Sequence, residues 1–244
     1  MRGMALFMIL SLPAVAFAAE VRFEGTAMPL DDGAPIYQEI HSIMGTCSQG
    51  QFTPQKQSVE YSRPGSGTIA TKTLTYQHSV LLPTVVFRQP GFSEVIKILN
   101  QNGETLQVVW KPPSGATENS TLDIRPSLVA DSGFDNLVRK NWAKLTQNAE
   151  SVEFDMVVPT RGDAYQFVLE PFSHGRIDAA HTLRIRPANM VLNWLVDPIV
   201  LGYNARGLLT DYLGLTNIRK NQDSNYIAHI RYEIQTMPDC ELTR

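Results

Sequence analysis

The sequence predicts a mainly β protein: a large curved antiparallel sheet, open or closed into a barrel-like form, with one principal amphipathic α-helix packed on it. Two observations predict this class. Apolar and polar residues alternate with period two in about a dozen short stretches separated by Gly, Pro, Asn and Asp turns. Only one segment, residues 132–148, shows sustained helical periodicity.

The N-terminus reads as a secretory signal. Arg2 supplies the positive charge, residues 5–17 form an apolar core, and Ala16-Phe17-Ala18 fits a small-x-small cleavage site. Cleavage after Ala18 leaves residues 19–244 as one β-rich domain and no membrane span, because the apolar run is short and Glu20, Arg22 and Glu24 follow at once. An uncleaved N-terminal anchor is the alternative. No cysteine stands at the cleavage site, which removes a bacterial lipoprotein anchor. Without residues 1–18 the chain carries 20 basic and 24 acidic residues, a balance that argues against nucleic acid as a partner. In an exported chain, Cys47 and Cys240 are expected to form a disulfide between an early strand or loop and the C-terminal tail. Cys47 as a nucleophile is the weaker reading, since no basic neighbour depresses its thiol pKa.

Taken in order, residues 21–27 alternate as a first strand, Asp31-Asp32-Gly33 turns, and residues 36–43 return as its hairpin partner. A polar, Gln-rich loop carrying Cys47 is expected before a strand at 58–62, and Pro64-Gly65-Ser66-Gly67 turns into a Thr-rich strand at 68–76. Residues 80–87, broken by Pro83, suit an edge strand or a loop tucked over the core. Asn102-Gly103 between 94–101 and 104–110 predicts a type I′ hairpin. Residues 111–117 form a loop and 119–124 a short strand.

In the helix, Phe134, Leu137, Val138, Trp142 and Leu145 share one face at i, i+3, i+4, i+8 and i+11. Ser132 caps it with Asp135 as a shortened capping box, Asp131 and Asp135 complement the dipole, and Arg139, Lys140 and Lys144 largely face water. Strands at 152–158 and 165–170 follow, turned by Arg161-Gly162-Asp163, and a strand at 179–186 ends at Pro187. Residues 190–196 suit either a helical turn or a buried strand. A three-stranded meander over 198–203, 208–215 and 226–233 closes the chain.

This layout resembles the open-barrel folds of exported bacterial proteins, of which the periplasmic lipoprotein carriers LolA and LolB are examples. There a long antiparallel sheet curls into a half-barrel and a helix covers its concave side. The turn at Tyr203-Asn204 followed by Asp211-Tyr212-Leu213-Gly214-Leu215-Thr216-Asn217-Ile218 is also similar to exported proteobacterial proteins of uncharacterised role. The resemblance implies a compartment and an architecture, and it carries over no site residue.

Catalytic signatures are missing. No G-x-S-x-G elbow, P-loop or dinucleotide fingerprint is present, and Ser66 and Ser173 sit in turns. The five histidines, His41, His78, His174, His181 and His229, show no ligand spacing, so no metal or other cofactor is expected. Two features point to binding without catalysis. Phe134, Leu137, Val138 and Trp142, with Trp110 and Trp194, are candidates to line an apolar cavity beneath the helix, although the same residues would equally make a filled core. Arg184 and Arg186, in a cluster with His174, Arg176 and His181, share a strand face about 7 Å apart and suit an anionic headgroup. The expectation is a non-enzymatic periplasmic binder or carrier of a hydrophobic, optionally anionic lipid-like ligand. The alternative is an envelope assembly or protein-interaction factor with a filled core and a protein partner; an enzyme with spatially assembled residues ranks third.

Overall fold

A computed structural model describes residues 16–189 and 197–243. The chain starts in the middle of one 15-stranded sheet, walks outward to one edge, crosses to the opposite edge, and walks back. The outward half comprises β1 (Phe17–Met28), β2 (Tyr37–Ser48), β3 (Gln51–Arg63), β4 (Gly67–Thr75), β5 (Thr84–Gln89), β6 (Glu94–Asn100), β7 (Thr105–Lys111) and β8 (Glu118–Asp123). The returning half comprises β9 (Leu128–Val129), β10 (Val152–Val158), β11 (Asp163–Pro171), β12 (His181–Pro187), β13 (Ile199–Tyr203), β14 (Leu209–Arg219) and β15 (Asn225–Thr236). The halves join where β1 pairs antiparallel with β15, with Gly25 opposite Tyr232 and Ala27 opposite Ile230.

Chain reach dictates the curvature. β8 and β9 are the two edge strands, yet only residues 124–127 separate them in sequence. Five peptide steps span at most about 18 Å. The sheet must therefore curl until its edges nearly meet. At that seam a Cβ added to Gly162 would lie 2.8 Å from Ser120 Oγ, so β8 and the β10–β11 turn are in contact although no ladder closes the sheet. The connector is held to β10 by the Asp155 carboxylate, which accepts from Arg125 Nε at 3.0 Å and Ser127 Oγ at 2.5 Å.

β9 and β10 are parallel, and such a pair needs a crossover. Two short helices provide it, α1 (Gly133–Lys140) and α2 (Trp142–Thr146). Leu137, Val138, Trp142 and Leu145 pack on Phe154, Leu169, Leu183, Ile185, Leu201 and Tyr203, which are inward-facing residues of β10 to β13. The predicted amphipathic face is thus buried against the concave side of the sheet.

Several local expectations are corrected. The helix is interrupted at Asn141, whose Nδ2 donates to Leu137 O at 2.9 Å in competition with the backbone. Ser132 makes no side-chain cap; its hydroxyl donates to Asp131 instead. Arg139 does not face water: it is buried, its guanidinium 2.6 Å from Asp135 and its Nε donating to Gly207 O at 3.0 Å. The Gln-rich segment is strand, because Gln49 (φ 52°) and Gly50 (φ 75°) turn a tight hairpin by themselves, and Cys47 therefore lies in β2. β5 is an interior strand, and residues 79–83 form the loop tucked over the core. Asn102-Gly103 sits in a longer loop in which Asn102 Oδ1 accepts from Glu104 N and Thr105 N at 3.0 and 3.1 Å, so the two-residue I′ turn is not formed. Residues 1–15 and 190–196, which include most of the signal segment and Trp194, lie outside the described residues.

Cys47 and Cys240 are bonded, with Cα atoms 5.8 Å apart and a sequence separation of 193. The tail they anchor lies along the β2–β3 turn, where Phe52 N donates to Glu241 O and Glu241 N to Gly50 O, and Leu242 is buried beside Val21, Phe23, Ile43 and Leu208. Closing so long a loop stabilises by about 5 kcal/mol on the chain-entropy model. Cys240→Ser is expected to lower the melting temperature markedly, and thiol labelling of the denatured, unreduced wild type should find no free sulfhydryl. Gly133 also has no room for a side chain, since an added Cβ would stand 2.0 Å from Leu81 O. Gly133→Ala should cost about 1–3 kcal/mol in denaturant titration, against the usual gain from Ala in a helix.

Candidate functional site

Curling fifteen strands leaves more concave surface than two short helices cover. What is left is a cavity of about 360 Å³ bounded by β1 to β6, by β12 to β15, by the start of α1, and by residues 156–160. Strand alternation builds its wall. On β2, Tyr37, Glu39, His41 and Ile43 all point inward, and β3 sets Gln57, Val59 and Tyr61 beside them. Phe23, Tyr37, Tyr61, Phe87, Tyr212 and Tyr232 supply aromatic wall, and Ile96, Ile98, Met156, Ile185, Leu209 and Ile230 aliphatic wall. The rings touch in sequence: Phe23 stacks on His41 at 4.4 Å and meets Tyr232 edge-on at 5.3 Å, while Tyr61 meets both Tyr37 and Phe87 at 6.1 Å.

Into this apolar wall are set ionised groups. Lys72 Nζ donates to both Asp131 oxygens at 2.9 and 3.0 Å, joining β4 to the residue preceding α1. Asp131 adopts φ 45°, a left-handed conformation that Asp tolerates, and its Oδ1 accepts from Ser132 N at 2.7 Å. Burial opposes ionisation of Asp131, but the Lys72 charge and the hydrogen bonds from Lys72 and Ser132 outweigh it and hold the carboxyl below its ordinary range. Arg219 grips Glu94 with Nε at 3.0 Å and a terminal nitrogen at 2.5 Å, and Trp110 Nε1 donates to the same carboxylate at 3.0 Å. Asp135 is paired with Arg139 and accepts from the Tyr203 hydroxyl at 3.0 Å.

The fourth lining carboxylate is Glu39. Its Oε2 lies 2.6 Å from His41 Nε2, and His41 Nδ1 lies 3.3 Å from Gln57 Nε2. Tyr76 donates to Gln57 Oε1 at 2.6 Å, which orients the Gln57 amide as a donor to Nδ1 and so assigns the imidazole proton to Nε2. The buried tyrosines remain protonated at any physiological pH. Desolvation pushes the Tyr37, Tyr61, Tyr212 and Tyr232 hydroxyls up, and the Glu39 charge adds to the shift at each.

Of the residues singled out from sequence, Phe134 lines the cavity, whereas Leu137, Val138 and Trp142 lie in the packed core between the helices and the sheet. Trp110 serves the Glu94–Arg219 pair and is not among the lining residues. Trp194 falls outside the described residues. Arg184 and Arg186 alternate with the inward Leu183 and Ile185, so they project from the convex face. There both donate to Glu170, Arg186 from Nε at 3.0 Å and NH2 at 3.1 Å, and the Arg184 guanidinium stacks 4.2 Å over Phe172. Hydrogen bonding from Arg186, followed by that from Arg184, holds the Glu170 carboxyl low against desolvation. Arg176 donates to Leu30 O at 2.6 Å, and His181 meets Trp142 edge-on at 5.0 Å, so the five cationic candidates do not converge on one point.

Sequence reasoning missed Glu39, His41, Lys72, Glu94 and Arg219. The signal was present for the first two: Tyr37-x-Glu39-x-His41-x-Ile43 places them on the apolar face of a period-two strand. Searches with the chain among protein families, curated proteins and solved structures find no match.

The Lys72–Asp131 pair yields a stability prediction. Lys72→Met leaves a buried carboxylate unpaired and should cost about 3–5 kcal/mol, much of which the double variant Lys72→Met/Asp131→Asn should recover. Because the folded pKa of Asp131 is depressed, its contribution is complete above the ordinary value of 3.8 and is lost as the pH falls through the lower folded value. Acid unfolding of Asp131→Asn, followed by circular dichroism, should accordingly be less steep in that range.

Proposed function

We propose that the protein is an exported, non-enzymatic binder or carrier of a hydrophobic ligand held in the concave cavity. One observation carries the reading: a cavity of about 360 Å³ lined by aromatic and aliphatic side chains, with a few fixed polar groups. Small-molecule sites have this character, concave and mostly apolar, within a range of roughly 300–1,000 Å³. Export is supported by the signal-like N-terminal sequence and by the Cys47–Cys240 disulfide, which an oxidising compartment sustains. Among the described residues no helix is long and apolar enough to cross a membrane.

A role in envelope assembly has a weaker footing in the exposed cross-strand pair Leu215 and Ile227 and in the outer edge of β8, which carries no further strand.

Delipidated protein should take up a fluorescent acyl probe. Ile96→Trp and Met156→Trp, which place bulk in the cavity from partly buried positions, should weaken uptake at least tenfold without changing the far-ultraviolet circular dichroism. Arg184→Ala, on the convex face, should leave it unchanged. Failure of the well-folded wild type to bind, together with co-purifying proteins and no extractable small molecule, would replace this reading with the assembly role.

A further inference from the structure

Four carboxylates line the cavity, Glu39, Glu94, Asp131 and Asp135, against two obligate cations, Lys72 and Arg219. Lys72 is committed to Asp131 and Arg219 to Glu94, and Arg139 neutralises Asp135 from behind the wall. Glu39 is left over. Its hydrogen-bond partner on β2 is His41, an imidazole that gives Nε2–H to Glu39 and accepts from Gln57 at Nδ1, so no Lys or Arg among the described residues is paired with Glu39.

The surroundings of Glu39 are aromatic on both sides. Its cross-strand neighbour on β3 is Tyr61. On the other side stands Gly25 of β1, and the space where a side chain would be is taken by the Tyr232 ring from β15, whose Cε1 lies 2.5 Å from the position of a Gly25 Cβ. Tyr37 and His41 flank Glu39 along its own strand. Glu39 thus lies among Tyr61, Tyr232, Tyr37 and His41, with the His41 Nε2 and the Tyr37 hydroxyl hydrogen-bonded to its carboxylate. Tyr61 is 4 % exposed, lines the cavity, and makes no side-chain hydrogen bond among the described residues, so its hydroxyl can meet a ligand.

A carboxylate set among aromatic side chains in a desolvated wall attracts organic cations. The rings offer their negative quadrupoles, the acid offers charge, and neither requires the ligand to give up a tightly held water shell. An anionic headgroup in the same place would face Glu39 with no free cation to meet it.

We infer that the cavity selects a cationic amphiphile, a hydrophobic amine or quaternary ammonium compound, with its positive centre seated over Glu39 between Tyr61 and Tyr232. The inference rests on the binding role proposed above and adds the ligand's charge class. The Gly25 backbone becomes part of the recognition device, since any side chain there would displace Tyr232.

Calorimetric titration of delipidated protein with three probes sharing one tail, decyltrimethylammonium, decanol and decanoate, tests both levels. Decyltrimethylammonium is expected to bind at least tenfold more tightly than decanoate, with decanol between them. Glu39→Gln, which preserves the hydrogen bond to His41, should weaken the cation at least tenfold and leave decanol within twofold. Tyr232→Leu should also weaken the cation selectively, and Tyr232→Phe, which keeps the ring, should restore it. If decanol binds while decanoate matches or exceeds the cation, the charge assignment is overturned and the hydrophobic-binder reading stands. If none of the three binds, the binder reading falls and the charge assignment falls with it. Should Glu39→Gln fail to fold, the wild-type order of the three probes and the Tyr232 pair still decide.

Discussion

The pairing of the first strand with the last, in the middle of the sheet, governs everything else in this molecule. With β1 hydrogen-bonded to β15, the two halves of the chain can only extend away from each other, and their outer strands become the sheet edges. A connector of four residues then has to bridge the two edges of a fifteen-stranded ladder, and this is possible only if the sheet rolls up. The disulfide reinforces the same junction, joining β2 to the segment that follows β15. Curvature, and with it the concave cavity, follows from connectivity more than from any single side chain.

The buried ion pairs are best understood as struts across that curvature. Glu94 and Arg219 belong to β6 and β14, seven positions apart in the strand order, and Lys72 and Asp131 join β4 to the residue that begins the crossover from β9 to β10. Each pair spans the lumen. Replacing such pairs with well-packed apolar residues is often neutral or stabilising, so their presence is poor evidence of stability; what they supply is a fixed distance between walls that no ladder connects.

Much of this architecture was legible in the sequence, and the parts that were not have physical causes. Alternation at Val152–Val158 and the meander that ends in β15 were readable because one face of each strand is apolar and the other wet. Of β3 only the second half, residues 58–62, was, since Pro54 and its neighbouring glutamines disguise the first half; Pro54 is accommodated beside the irregularity between Met44 and Gly45, where the ladder shifts register. The helix was found from its stripe, but its break at Asn141 depends on one side-chain bond that spacing does not encode. The cavity was least visible. Lys72 or Glu94 reads in sequence as a solvated residue, and only the three-dimensional closure of the sheet turns it inward.

The arrangement of polar groups also bears on what kind of site this is. A general base needs an imidazole nitrogen or carboxylate free to reach a substrate proton. His41 spends Nε2 on Glu39 and Nδ1 on Gln57, and Gln57 is in turn fixed by Tyr76. The lining tyrosines are locked in their neutral form by burial and by the Glu39 charge, so they can donate or accept hydrogen bonds but not take up protons as phenolates. Lys72 and Arg219 are saturated by carboxylates. What the lining offers a ligand is ring surface, the Glu39 carboxylate and apolar volume. On the binding role proposed above, discrimination would be by shape and by sign of charge, and the selectivity would reside in Glu39 and in Gly25, whose missing side chain lets Tyr232 stand beside it.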